Sequence, residues 1–128
     1  MADIEKVELK NTKEIDLPKL DIKQYVGKKV EIAEVDEMRG EYGYFIIVRT
    51  QPVDTILNKD GEKIELKASR NFGLQEDSDG NIGWGKDTNL GFFLEKMGVK
   101  HYNDLVGCEV VIQTQENHKT KKEYLSFN

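Results

Sequence analysis

The chain has 128 residues, 38% hydrophobic and 34% charged, with a formal net charge of −5. That length suits one domain with a real core, and the charge excludes a globally basic nucleic-acid binder while leaving room for a local basic patch. Cys108 is the single cysteine, so no disulfide can form within the chain. The opening "MADIEKVELKNTKEIDLPKL" has no long apolar run, and no stretch approaches the ~20 residues of a membrane span. A soluble, cytoplasmic protein with no membrane partner is expected.

In chain order, residues 1–24 are charged, with Val7, Leu9 and Leu17 scattered ahead of Pro18. They read as an N-terminal arm, partly ordered or adding an edge strand, with residues 25–128 as the domain. A period of two begins after Gly27. Val30 and Ile32 alternate with charged neighbours, then the apolar parity moves to Ala33 and Val35, which predicts a bulge or coil in a bent first strand. "MRGEYG" ends it. The second strand, "YFIIVRTQPV", is the most apolar, and Pro52 places an edge or bulge near its far end. "LNKDGEK" predicts a turn, and "KIELKASRNF" returns with Ile64, Leu66 and Ala68 on one face, completing a three-stranded meander.

"QEDSDGNIGWGKDT" is polar, Gly-rich and aperiodic, hence a loop. "TNLGFFLEKMG" places Leu90, Phe93, Leu94 and Met97 at helical spacing, with Asp87 or Thr88 as N-cap and Gly98 as the stop, so a helix is expected over about residues 88–98. The chain closes with a hairpin whose strands "CEVVIQTQ" and "EYLSFN" are joined by a turn carrying "HKTKK". Three strands, a helix and two strands give the order of an all-β, five-stranded OB-fold Greek-key barrel with one helix between strands 3 and 4. A sandwich would want about seven strands and no helix.

The elements "YVGKKVEI", "EYGYFIIVRT", "LKASRNFGL", "GWGKDTNLGFFLEKMGV" and "DLVGCEVVIQTQ...KKEYLSF" together resemble OB-fold single-stranded DNA-binding proteins, in particular small replication protein A-like domains. The resemblance covers residues 25–128. It implies a ligand crossing the face of strands 2 and 3, gripped by the loops joining strands 1 to 2 and 4 to 5, here "MRGEYG" and "ENHKTKKE". Replication or repair proteins are the partners it implies.

Single-strand binding needs cations along the phosphates and aromatic faces for unpaired bases, at ~1 to 3 kcal/mol per base. The first of these loops offers Arg39 and Tyr42, and the last offers Lys119, Lys121 and Lys122 beside His118. Lysines at a hairpin tip also serve to solubilise it and block edge-to-edge pairing. On strand 2 an unpaired buried Arg49 would be costly, so Phe45, Ile47 and Arg49 are expected on the outer face, where Phe45 becomes a stacking platform unless the arm covers it. Outward parity on strand 3 gives Glu65, Lys67 and Ser69, of which Lys67 extends the cationic track and Glu65 opposes it. Trp84, between glycines, either caps a base or plugs one end of the barrel. Arg70 shares inward parity with Ile64 and Leu66, so it meets ligand only if the strand ends before it.

Enzymatic chemistry finds no motif. "DSDGN" resembles a calcium loop, but the sixth and twelfth positions counted from Asp77 are Ile82 and Thr88 instead of Gly and Glu. His101, His118 and Cys108 lack zinc-ligand spacing, and neither "GxxxxGK" nor "GxSxG" occurs. The chain is therefore expected to be a non-enzyme without cofactor or metal, binding single-stranded nucleic acid, DNA in the first place, largely independently of sequence. The alternative is an OB-fold protein-interaction module, favoured by "EDSDG" and the net acidity.

Overall fold

The computed structural model describes residues 6–12 and 21–128. Residues 6–12 carry no strand, and the rest of the expected edge strand in the arm lies outside the described residues. A 3-10 turn at Ile22–Tyr25 leads into β1 (Lys29–Gly40), which turns back into β2 (Gly43–Thr50). The parity change seen in sequence coincides with a register shift between Ile32 and Glu34 in the β1–β2 pairing. It lets one strand bury Ile32 and then direct Val35 to the same side.

The segment expected as strand 3 is divided. β3 (Asp54–Leu57) and β4 (Lys63–Leu66) pair only with each other, as a ribbon outside the main sheet. The strand that continues the sheet is β5 (Ser69–Gly73), which pairs with β2 from Arg49↔Ser69 to Phe45↔Gly73. The simple meander is thus corrected to a sheet interrupted by a hairpin. Thr50 and Ala68 mark the branch: the Thr50 N–H donates to the Ala68 carbonyl at 3.0 Å, and the Ala68 N–H donates to Thr50 Oγ1 at 3.0 Å. The "QEDSDGNIGWGKDT" stretch is also more structured than a loop, since β6 (Gln75–Glu76) and β7 (Ile82–Gly83) pair across it.

The helix α1 (Asn89–Met97) follows. Thr88 caps it, its side chain accepting from the Gly91 N–H at 3.2 Å, and Gly98 ends it in the left-handed conformation. Leu90, Phe93 and Leu94 are buried. A 3-10 turn at Tyr102–Leu105 then feeds the closing hairpin of β8 (Glu109–Glu116) and β9 (Glu123–Phe127).

The chain is mostly β with this one α-helix among the described residues, and its main sheet has five antiparallel strands in the order β5-β2-β1-β8-β9. β5 and β9 form its two ends, with no backbone ladder between them. They nevertheless come close, because Arg70 on β5 reaches the Phe127 carbonyl on β9 at 3.5 Å. Between them lies the aromatic part of the core, where Phe93 of α1 stacks on Phe72 at 5.2 Å and meets Phe127 at 5.8 Å. This seam, where the sheet ends approach without pairing, positions the site.

Candidate nucleic-acid interface

The β8–β9 turn is built by Asn117. Its Oδ1 accepts from the backbone N–H of Lys119 at 2.9 Å and of Thr120 at 3.3 Å. Its own N–H donates to the Lys122 carbonyl, and its carbonyl accepts from Lys121, both at 2.8 Å. Closing the turn places Lys121 at φ 60°, a left-handed conformation that costs a non-glycine residue about 1–2 kcal/mol. The exposed His118, Lys119, Lys121 and Lys122 therefore project from a defined backbone.

Opposite the tip stands β5. Ser69, Arg70 and Asn71 form one wall of an open groove of about 570 Å³, and Asn117, His118, Lys119 and Tyr124 form the other. Glu116 is the one carboxylate side chain lining it. Tyr124 is held by a hydrogen bond from its hydroxyl to Gln115 Oε1 at 2.8 Å, its cross-strand neighbour.

Arg70 has the inward parity expected of it, opposite Val48 in the β2–β5 ladder. Its guanidinium lies 4.7 Å from the Phe72 ring centroid and 5.4 Å from that of Phe93. Burial pushes its pKa below the ordinary arginine range, though Tyr124 opposes the shift; the group stays cationic at neutral pH. Among the described residues no carboxylate side chain is paired with it. A positive charge with no paired carboxylate among the described residues thus borders a groove that Glu116 also lines.

The β1–β2 turn presents a second group. Tyr42 is 96% exposed, and the Arg39 guanidinium lies 5.5 Å from the Tyr44 ring centroid. Phe45 is half-buried on the outer face, opposite Met38 and Gly73, with its ring over Gly40. Outer-face parity for Phe45, Ile47 and Arg49 follows from the burial of Ile46, Val48 and Thr50 between them.

Three sequence candidates are placed elsewhere. Arg49 is on the outer face but bonds to Asp36 and lies 3.7 Å from Glu34, so its charge is matched by two carboxylates. Lys67 follows β4 instead of lying within the sheet strand, 3.8 Å from Glu65. Trp84 packs edge-on against His101 and Tyr102 at 5.2 and 5.5 Å, partly buried against the core, and borders a different cavity with Gln75, Asp77 and Asn81. Of the sequence candidates only Lys119 lines the groove with Arg70; Lys121 and Lys122 stand on the same turn, Arg39, Tyr42 and Phe45 belong to the β1–β2 end, and Arg49, Lys67 and Trp84 lie elsewhere. Sequence reasoning left Arg70 conditional on where its strand ends and did not single out Asn71 or Tyr124. Their available signal was an arginine at an inward position of a strand that, at the sheet's end, has an open side through which a long side chain can reach solvent.

Asp77 is occupied within its own turn, accepting from the N–H groups of Asp79 and Asn81 at 2.9 and 2.8 Å and from the Asn81 side chain at 3.0 Å. The bonds from Asn81 hold its pKa below the usual carboxylate range. Among the described residues no group of three or more His, Cys, Asp and Glu side chains is placed to hold a metal, and no helix is long and apolar enough to cross a membrane. No protein-family model matches the chain, and neither curated proteins nor solved structures yield a match.

Proposed function

We propose that the chain is an OB-fold protein that binds single-stranded nucleic acid, DNA in the first place, with little base preference. The observation that carries this reading is the groove between β5 and the β8–β9 tip, where Arg70 and Lys119 face one another beside Tyr124 on a chain of net charge −5. Cations that follow phosphates and an aromatic face for a base are the two requirements of single-strand binding. The OB-fold part is supported by the strand order and by α1 falling between the third and fourth strands of the main sheet in chain order.

The proposed strand enters at Lys119, Lys121 and Lys122, passes Arg70 and Asn71, crosses Phe45 and leaves at Tyr42 and Arg39. Asn71, Ile47 and Asp36 form one row across the sheet, and Gly73, Phe45 and Met38 the next. Those rows are neutral or apolar on β5 and β2, with Glu34 and Asp36 on β1 and Glu116 of β8 at the groove end. Stacking on Phe45 and Tyr42 tolerates every base, so sequence preference is weak.

The test is fluorescence anisotropy of a dye-labelled mixed-sequence oligonucleotide titrated with the protein at low and moderate salt, as DNA and as RNA. Expected is saturable binding that weakens with salt, tighter for DNA. Absence of binding at low salt would overturn the proposal.

A second reading, a protein-interaction module, is favoured by the outer face of β1, where exposed Met38 shares a face with Glu34 and Asp36. An apolar contact rimmed by carboxylates suits a partner with basic side chains, including a replication or repair protein. It gains if the oligonucleotide fails to bind.

A further inference from the structure

Arg70 borders more than the groove. It also lines a smaller cavity of about 130 Å³, formed with Asn89, Phe92, Phe93 and Lys96 of α1 and with Asn128. Phe92 is 57% exposed, the one large apolar side chain of α1 turned to solvent among the described residues. Lys96 stands one turn further along the same helix face, at the i+4 position. Among the described residues no carboxylate side chain lines this cavity. An exposed aromatic ring, an exposed lysine with no ion pair among the described residues and a half-buried arginine thus converge around one small opening on an acidic chain.

A packing role accounts for Phe93, which stacks in the core, but not for its neighbour Phe92. Nor does solubilisation account for Arg70, since its half-buried guanidinium lies against two rings while still lining both cavities. Because Arg70 lines both cavities, a phosphate beside it can belong to a chain that occupies both. We propose that the exposed face of α1 is an additional nucleotide subsite, in which Phe92 stacks a base, Lys96 contacts its phosphate and Arg70 holds the phosphate shared with the main groove. This inference rests on the proposed single-strand binding and extends it beyond the hairpin groove, across the β5–β9 seam to the helix. It predicts a site longer than the sheet face alone would accommodate.

The experiment uses the full chain, Phe92→Ala and Lys96→Ala, each titrated with oligothymidylates of about 4 and about 12 nucleotides, within the range of site sizes for such domains. Both substitutions are on an exposed helix face, and thermal melts verify that each variant folds. Phe92→Ala should weaken binding of the longer oligonucleotide about 5- to 150-fold, the loss of one stacked base, and leave the shorter one, which occupies the main groove, unchanged. Lys96→Ala should flatten the log-log salt slope for the longer oligonucleotide by about 0.7. If the parent binds both lengths and both variants match it at both, the subsite is overturned while the groove stands. If the parent binds neither, the single-strand reading fails and the subsite with it.

Discussion

Replacing Lys119, Lys121 and Lys122 together by Ala probes the cationic end of the groove. All three are exposed on a turn whose backbone is held by Asn117, not by the lysine side chains. Each substitution should therefore alter stability by no more than about 0.5 kcal/mol. If each lysine neutralises one phosphate, the log-log salt slope for a single strand changes by about 0.7 per residue, or up to ~2 units for the three. Between about 50 and 200 mM salt, a slope difference of that size means the parent loses ~20-fold more affinity than the variant. Only Lys119 lines the groove wall, so Lys119→Ala alone should account for at least a third of the change. The assay is anisotropy across a salt series, with Lys6→Ala as control because Lys6 is exposed in the arm and lines neither cavity. A triple variant that keeps the parent's slope would refute the clamp, and equal affinity at low salt would leave the lysines as protection of the hairpin edge.

Phe45→Ala should weaken oligonucleotide binding by ~1 to 3 kcal/mol and, because the ring is only half-buried, cost less stability than the ~3 to 5 kcal/mol of a fully buried Phe; unchanged affinity would remove Phe45 from the path. Gly91→Ala should lower stability in denaturant melts by at least ~1 to 3 kcal/mol, since its Cβ would lie 2.5 Å from the Lys86 carbonyl oxygen and closer still to that of Gly85, and a neutral result would mean the 85–88 loop yields freely. Tyr25 donates to Asp54 Oδ2 at 2.7 Å, which lowers the Asp54 pKa and raises that of Tyr25. Stability from the lowered carboxylate is present above its unfolded value near 3.9 and lost as pH falls through the folded pKa, and stability from the raised phenol is present below about 10 and lost as pH climbs through its folded pKa. Tyr25→Phe should therefore flatten the stability–pH curve at both extremes, and a curve unchanged in shape would show the pair contributes nothing.

What was legible in the sequence depended on how far each signal reached along the chain. The helix was written locally: Thr88, the Leu90–Phe93–Leu94 spacing and Gly98 act within a few residues of one another, and the N-cap and left-handed stop are found at those positions. The bulge was legible because a parity change inside one strand has a single cheap explanation. Strand 3 failed for the opposite reason. Nothing between Lys63 and Phe72 breaks the alternation strongly, so one continuous strand and two strands with different partners have nearly the same local pattern; partner choice is a tertiary matter. Lys67 was misplaced by that same error. Arg49 was placed on the correct face by parity, but its neutralisation by Glu34 and Asp36 depends on register across the bulge, which shifts which β1 residue stands opposite. Arg70 required knowing that β5 ends the sheet.

The two carboxylates beside Arg49 oppose binding only if the whole outer face is taken as one surface. Glu34, Asp36 and Met38 stand on β1, and Ser69, Asn71 and Gly73 on β5, with β2 between. A phosphate near β1 would meet like charge from Glu34 and Asp36, whereas one near β5 meets neutral residues and, at the seam, Arg70 and Lys119 together with the single carboxylate of Glu116. Under the proposed function, repulsion at one margin and attraction at the other would confine a polyanion to the β5 side more sharply than attraction alone, despite the unfavourable net charge. The ion pair would also hold Arg49 out of the competition for phosphate. Surface pairs of this kind contribute only about 0–1 kcal/mol to stability, so what Glu34 and Asp36 most affect under the proposed function is the route the ligand takes, with the fold little changed by their loss.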